Sequence, residues 1–335
     1  MSRWFALLLC FLVPNVVQAS CPLLWPSGTF LQLYENDVER SADDWRAAAA
    51  RWKKLGVEEL ILQWTAYGPP EGEGFALVEA GAVEKLLDAA HTSGIRVHLG
   101  LRYDPTFWLE RGHDESAADP EAPQAPSALS RYLFERLRDQ EALVSALAPL
   151  AGHSAFAGWY ISDEIDDQRW RGAGRQALLT NYLKKTSDLV KRLTPHAPVT
   201  LSAFSNGLLP PRELAEFLWK LAQSSGIDRL LFQDGIGAHK LEISELPLYI
   251  PALREQFVEG GPTFALIVEI FESGEAPDAF ISAPMERITL QLRHAAGADT
   301  APFTFALPHH ADALSEDAPL GLASQLLQLK RSCGS

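Results

Sequence analysis

The chain has 335 residues, with 43 acidic and 29 basic side chains and a formal charge of −14. Such a surface repels phosphate backbones and anionic lipid, which sets it against nucleic-acid binding. Hydrophobic residues make up 47% of the chain, and beyond the N-terminus no stretch is long and apolar enough to span a bilayer as a helix.

The first 19 residues read as a signal peptide. Arg3 supplies the positive start, Trp4 to Val13 the short apolar run, Pro14 the break, and Val17-Gln18-Ala19 the small residues that a signal peptidase needs. Cleavage after Ala19 removes Arg3, takes the charge to −15 and leaves 316 residues, the size of one barrel with loop insertions. It also implies a periplasmic or extracellular protein. Gln18-Ala19-Ser20-Cys21 has the outline of a lipoprotein box, with Gln18 where an aliphatic residue is usual, so lipidation at Cys21 is the competing reading.

After the leader, short β-branched or aromatic runs alternate with amphipathic segments, the pattern of βα units around a parallel sheet. Gly28 to Tyr34 is the first expected strand. Ser41, with Asp44 three residues on, caps a helix whose Trp45, Ala49 and Trp52 share a face, and Gly56 ends it. Strands follow at Glu59 to Trp64 and Arg96 to Tyr103, with a helix from Gly81 to Ser93 between them. Glu110 to Ala128, rich in Pro, Ala, Asp and Glu, reads as an exposed insertion, and a long helix runs on to Leu150. The remaining strands are expected at Phe156 to Ile161, Pro198 to Phe204, Asp228 to Gln233, Thr263 to Phe271 and Phe303 to Leu307. Helices are expected at Gly174 to Leu193, Arg212 to Ser224, Leu248 to Phe257, Pro284 to Ala295 and Leu320 to Arg331. Eight strand–helix pairs predict an α/β fold, a single (β/α)8 TIM barrel occupying residues 20–335. In a closed barrel the first and last elements are neighbours, so Cys21 and Cys333 are expected to form a disulfide after Cys10 leaves with the leader.

Barrel active sites lie at the C-terminal strand ends. Here those ends carry Gln32 and Tyr34; Gln63, Trp64 and Tyr67; Arg102, Tyr103 and Trp108; Tyr160, Asp163, Glu164 and Asp166; Ser205 and Asn206; Gln233 and Asp234; Glu269 and Glu272; His309 and His310. Amides, carboxylates, an arginine and aromatics suit sugar hydroxyls and sugar faces. Glycoside hydrolysis needs two carboxylates. Glu164 follows the apolar run of the fourth strand and Glu269 that of the seventh, and the two could oppose each other across the mouth at about 5–5.5 Å for a retaining reaction. Glu272 competes with Glu269 for the second role. A metal-dependent hydrolase built on His309 or His310 with Asp234 is a third reading, but His-x-His, H-E-x-x-H and C-x-x-C patterns are absent.

The segments GTFLQLY, ILQW, GWYISDEID and LLFQDGIG together resemble the glycoside-hydrolase-like barrel family catalogued as domain of unknown function 4434. The resemblance runs from Gly28 to Leu307. It implies likeness to the clan of retaining glycosidases, with Glu164 as acid/base and Glu269 as nucleophile, and with no cofactor or metal. Asp163 stands where that clan usually has Asn. The expected substrate-binding set is Gln32, Tyr34, Gln63, Trp64, Tyr67, Arg102, Trp108, Tyr160, Asp163, Asn206, Gln233, Asp234 and His309. The expected partner is a carbohydrate, bound by a monomer. A carbohydrate-binding barrel without catalysis, accessory to polysaccharide synthesis or export, is the alternative.

Overall fold

Strand β1 (Gly28–Leu31) is followed by β2 (Glu59–Leu62), β3 (Arg96–Gly100) and β4 (Phe156–Asp166). Then come β5 (Val199–Phe204), β6 (Arg229–Gln233), β7 (Thr263–Glu269) and β8 (Phe303–Phe305). Each pairs in parallel with its sequence neighbours, and β8 closes on β1 through Gly28 opposite Phe303 and Thr29 opposite Thr304. The computed structural model describes residues 23–68, 75–76, 81–107, 127–258, 260–274, 280–305 and 321–333. The expected signal peptide, Cys21, most of the insertion, Trp108, His309 and His310 lie outside them.

The helices are α1 (Ala42–Leu55), α2 (Ala82–Thr92), α3 (Ala128–Leu147) and α4 (Ala173–Leu193). They continue with α5 (Pro211–Ser225), α6 (Leu246–Gln256), α7 (Met285–Ala295) and α8 (Leu322–Ser332). None is long and apolar enough to cross a membrane. The cap of α1 forms as expected: Ser41 Oγ accepts the Asp44 amide at 3.2 Å, the Asp44 carboxylate accepts the Ser41 amide at 3.1 Å, and Gly56 takes the left-handed turn at φ 99°. The alternation of strand side chains then divides the apolar residues. Phe30, Ile61, Tyr160, Leu231 and Ile267 fill the lumen, while Leu60, Ile161, Leu230 and Leu266 face the helices.

Strands β1 and β2 stop at Leu31 and Leu62, short of the expected Tyr34 and Trp64, and three further strand ends depart from expectation. Strand β4 does not stop at Ile161 but runs to Asp166. Its register with β5 slips between Ile161, opposite Leu201, and Ile165, opposite Ala203, so Ser162 to Glu164 form a bulge. Strand β3 stops at Gly100, where a Cβ would stand 2.1 Å from the Leu62 carbonyl, and Arg102–Tyr103 joins a small sheet with Ala66–Tyr67 and Phe75–Ala76. Strand β7 ends at Glu269, and Phe271–Ser273 forms a hairpin with Phe280–Ser282.

The opposite end of the barrel holds a charged cluster. The Glu59 carboxylate accepts from Arg229 at 2.8 Å, lies 3.2 Å from His98 Nε2 and pairs with Arg96. Burial opposes the Glu59 charge, but the His98 contact and the Arg229 guanidinium outweigh it and hold the carboxyl down at about 2. A depressed folded-state value means stabilisation that is complete above the ordinary 4.5 and lost as pH falls toward 2. Glu59→Gln is therefore expected to cost roughly 3 kcal/mol at pH 7, from 1.36 kcal/mol per pH unit. Urea unfolding between pH 7 and pH 3 checks it: the variant should show a flatter loss of stability below pH 4.5 than the wild type.

Candidate active site

The bulge in β4 sorts its side chains. Tyr160 is fully buried in the lumen, edge-on to Phe30 at 5.5 Å, with its hydroxyl 2.6 Å from Ser202 Oγ. Ser162 Oγ donates to the Leu101 carbonyl at 2.8 Å. Asp163 turns the other way, toward the helices, where its carboxylate accepts from Arg136 of α3 at 2.7 Å and from the Tyr182 hydroxyl of α4. Glu164, the next residue, is partly buried at the mouth.

A file of hydrogen bonds approaches Glu164 from β1 and β2. Tyr34 Oη donates to Gln32 Oε1 at 2.7 Å, Gln32 Nε2 to Gln63 Oε1 at 2.9 Å, and Gln63 Nε2 to Glu164 Oε1 at 3.3 Å. Gln233 comes to Glu164 from β6. Its buried Nε2 makes no hydrogen bond of good geometry, though the amide lies near enough to favour ionised Glu164. Burial pushes the Glu164 carboxyl up to about 7, opposed by the Gln233 and Gln63 amides and helped by the charges of Asp163 and Asp166.

The second carboxylate lies at the end of β7. Glu269 is 1% exposed, and Oε2 accepts the Ala238 amide at 2.8 Å. The adjacent Gly237 explains the glycines after β6: a Cβ there would stand 2.5 Å from the Phe271 carbonyl and 3.1 Å from Glu269 Oε2. Asp234 Oδ1 accepts the amides of Glu269 at 3.2 Å and Ile236 at 3.3 Å, while Oδ2 accepts from Gln291 Nε2 of α7 at 2.7 Å. Burial and the neighbouring Asp234 charge raise the Glu269 carboxyl, and the Glu164 charge adds to the rise. The two glutamates therefore share one electrostatic environment.

Beside Gln63 stands an aromatic group. Trp64 lies 5.9 Å from Tyr34, 5.3 Å from Tyr67 and 5.1 Å from Tyr103, between ring centroids. Trp64 itself is sealed, its Nε1 donating to the Leu33 carbonyl. The partly exposed rings are Tyr34, Tyr67 and Tyr103. Tyr103 is absent from the expected binding set, although its place at the end of the third strand was a signal for it. On the far side, Asp167 gathers the loop after β5 by accepting the amides of Asn206, Leu208 and Leu209 at 2.7, 3.0 and 2.9 Å, and this sets Asn206 at the rim with its Nδ2 buried and unpartnered.

Several expected binding residues are corrected. Tyr160 packs the lumen and offers no face for stacking. Asp163 is consumed by Arg136 and Tyr182 behind the strand. Asp234 is consumed by three N–H donors. Trp64 supports the tyrosines from beneath. Arg102 donates to the Gly68 carbonyl at 3.2 Å and shares its charged surroundings with Asp139, Arg136 and Asp104, so it turns from the carboxylates. Glu272 sits in the hairpin opposite Ile281, outside the mouth pair. Gln32, Tyr34, Gln63, Tyr67, Asn206 and Gln233 remain at the rim. Amides and phenols around two desolvated carboxyls suit hydroxyl binding and proton transfer.

The family described as domain of unknown function (DUF4434) matches residues 27–313. The uncharacterized protein YbcH of Escherichia coli (strain K12) is 28% identical over 313 residues, covering 90% of this chain and 94% of YbcH. A solved structure from Bacteroides thetaiotaomicron VPI-5482, provisionally assigned as an alpha-L-fucosidase, superposes with a TM-score of 0.69 at 18% identity, over 99% of this chain and 98% of that one. The intracellular xylanase TsXylA of Thermoanaerobacterium saccharolyticum superposes with a TM-score of 0.50 at 11% identity, over 91% of each chain. At these identities the likeness is one of fold, a glycosidase-like (β/α)8 barrel. The chain belongs to the DUF4434 family.

Proposed function

We propose that this protein is an exported glycoside hydrolase acting on a polysaccharide or oligosaccharide through Glu164 and Glu269. One observation carries the reading: two glutamates raised by burial, from β4 and β7, stand at the C-terminal mouth, and the Glu164 charge reaches Glu269. In this mechanism protonated Glu164 gives its proton to the leaving oxygen while ionised Glu269 attacks the anomeric carbon. Ionised Glu164 then takes a proton from the water that releases the glycosyl ester. The tyrosines at 34, 67 and 103 offer faces for a sugar ring, and Gln32, Gln63, Asn206 and Gln233 offer amides for its hydroxyls. No cofactor enters the scheme. The leader pattern supports export, and an oxidising compartment supports the Cys21–Cys333 disulfide. A monomer suffices for the reaction.

The near-complete burial of Glu269 favours a second reading, a carbohydrate-binding barrel without turnover. Reducing-sugar release from a broad glycan panel separates the two. Glu164→Gln and Glu269→Gln should each lower the rate by roughly 10²–10⁴-fold, and Glu272→Gln should leave it unchanged. Sugar binding that survives both glutamate changes, with no product from the wild type, supports the second reading.

Because the acid must hold a proton and the nucleophile must have lost one, kcat/KM should be bell-shaped in pH. Its alkaline fall should begin no lower than the value of about 7 held by Glu164. Gly237→Ala should destabilise the fold by roughly 1–3 kcal/mol through overpacking against Phe271 and Glu269, read as a lower urea midpoint, and should slow turnover with it.

A further inference from the structure

Asp234 and Glu269 are buried together, at 2% and 1% exposure, and the backbone amide of Glu269 is itself a donor to Asp234. Two ionised carboxylates in so dry a place repel each other and lose their hydration, a cost that cations or several hydrogen bonds to each must offset. Among the described residues no ion pair joins either carboxylate to a cation. Arg287 of α7 is close enough for its charge to favour ionised Asp234, but its guanidinium donates to the carbonyls of Phe271, Glu269 and Ile236. Among the described residues, the other groups named against the pair bring no positive charge. Glu164 of β4 is acidic, Gln291 of α7 is a neutral amide, and β8 presents Phe305 opposite Glu269.

The donors are shared unequally. Asp234 accepts three N–H groups, from Glu269, Ile236 and Gln291. Glu269 accepts the Ala238 amide, with Gly237 also favouring its ionised form. Hydrogen bonds to a carboxylate favour its ionised form. Arg287 tips the balance the same way.

We propose that Asp234 and Glu269 hold one proton between them, with Asp234 keeping the charge and Glu269 the proton. Asp234 is then a tuning residue, placed behind Glu269 and acting through it. The consequence for turnover rests on the hydrolase reading: the attacking carboxylate is neutral at rest, and only its minor ionised fraction reacts. The charge state itself does not rest on that reading.

The test needs no substrate. Protein labelled with ¹³C at the carboxyls of Glu and Asp is titrated by NMR, with Glu269→Gln and Asp234→Asn assigning the two signals. Burial raises Asp234 as well, to about 6, but Glu269 further, so in the wild type the Glu269 signal should report a protonated carboxyl at pH 7 and the Asp234 signal a carboxylate. In Asp234→Asn the Glu269 transition should move down toward the ordinary glutamate range, leaving the Glu164 transition at neutral pH. An ionised Glu269 at pH 7 in the wild type overturns the proposal, and so does a Glu269 transition that ignores Asp234→Asn. Both wild-type readings come from the folded native protein, so a variant that misfolds does not rescue the idea.

Activity is the second arm. On any glycan the wild type cleaves, Asp234→Asn should raise kcat/KM at pH 6 by roughly tenfold for each unit that the Glu269 transition falls. It should also move the optimum toward acid. If the titration behaves as expected and no glycan is cleaved, the shared proton stands and the hydrolase reading falls.

Discussion

The ion pair between Arg136 and Asp163 lies where β4 leaves its regular pairing, and the mouth is arranged around that point. Both side chains are almost fully buried, the contact is 2.7 Å, and the Tyr182 hydroxyl takes the other oxygen. Arg136 also donates to the Arg102 carbonyl at 2.7 Å, and Gln140 of the same helix holds the Arg102 amide and carbonyl. One polar cluster therefore ties the end of β3, the bulge of β4 and two helices. Removing either partner leaves a buried charge uncompensated, a cost typically of about 3–5 kcal/mol. With Asp163 fixed against the helices, the neighbouring Glu164 is turned toward the mouth.

Around that glutamate the chain spends amides in place of cations. Gln32, Gln63 and Gln233 bring dipoles that favour its ionised form without supplying a full charge, so burial keeps the upper hand. At β7 the backbone performs a similar task through Ala238, made possible by the bare Cα of Gly237. The two carboxyls thereby gain proton affinity from burial by similar degrees of confinement, held in check by different donors. An arginine beside either would abolish that balance, and the arginines nearby are directed to carbonyls or to Asp163.

Much of this was legible in the sequence, and the remainder fails for identifiable reasons. The strand–helix alternation gave the barrel, and the Ser41–Asp44 cap and Gly56 stop of α1 were readable from residue type alone. Glu164 and Glu269 stood out as acids ending apolar runs. Alternation alone places Tyr160 on the lumen side and Asp163 on the other, yet both were expected to touch sugar, because a strand end read from sequence has no fixed boundary. Asp234 was misjudged for a different reason. Its partners are backbone amides and Gln291, 57 residues away, and no local pattern announces such a pairing. Tyr103 stands beside Arg102 in the sequence with nothing local beyond its strand end to mark it, since only the fold brings it to Trp64.

The charged cluster of Glu59, His98 and Arg229 has a bearing on how such a barrel can diverge. It braces the strands at the floor, at the other end of the strands from the loops after β4, β6 and β7. Cohesion and chemistry are thus invested at opposite ends of one cylinder. Loops at the rim can be exchanged or lengthened while the floor keeps the strands registered, so the fold is insulated from experiments in specificity. A lineage built this way can change its ligand many times and inherit its melting behaviour nearly intact.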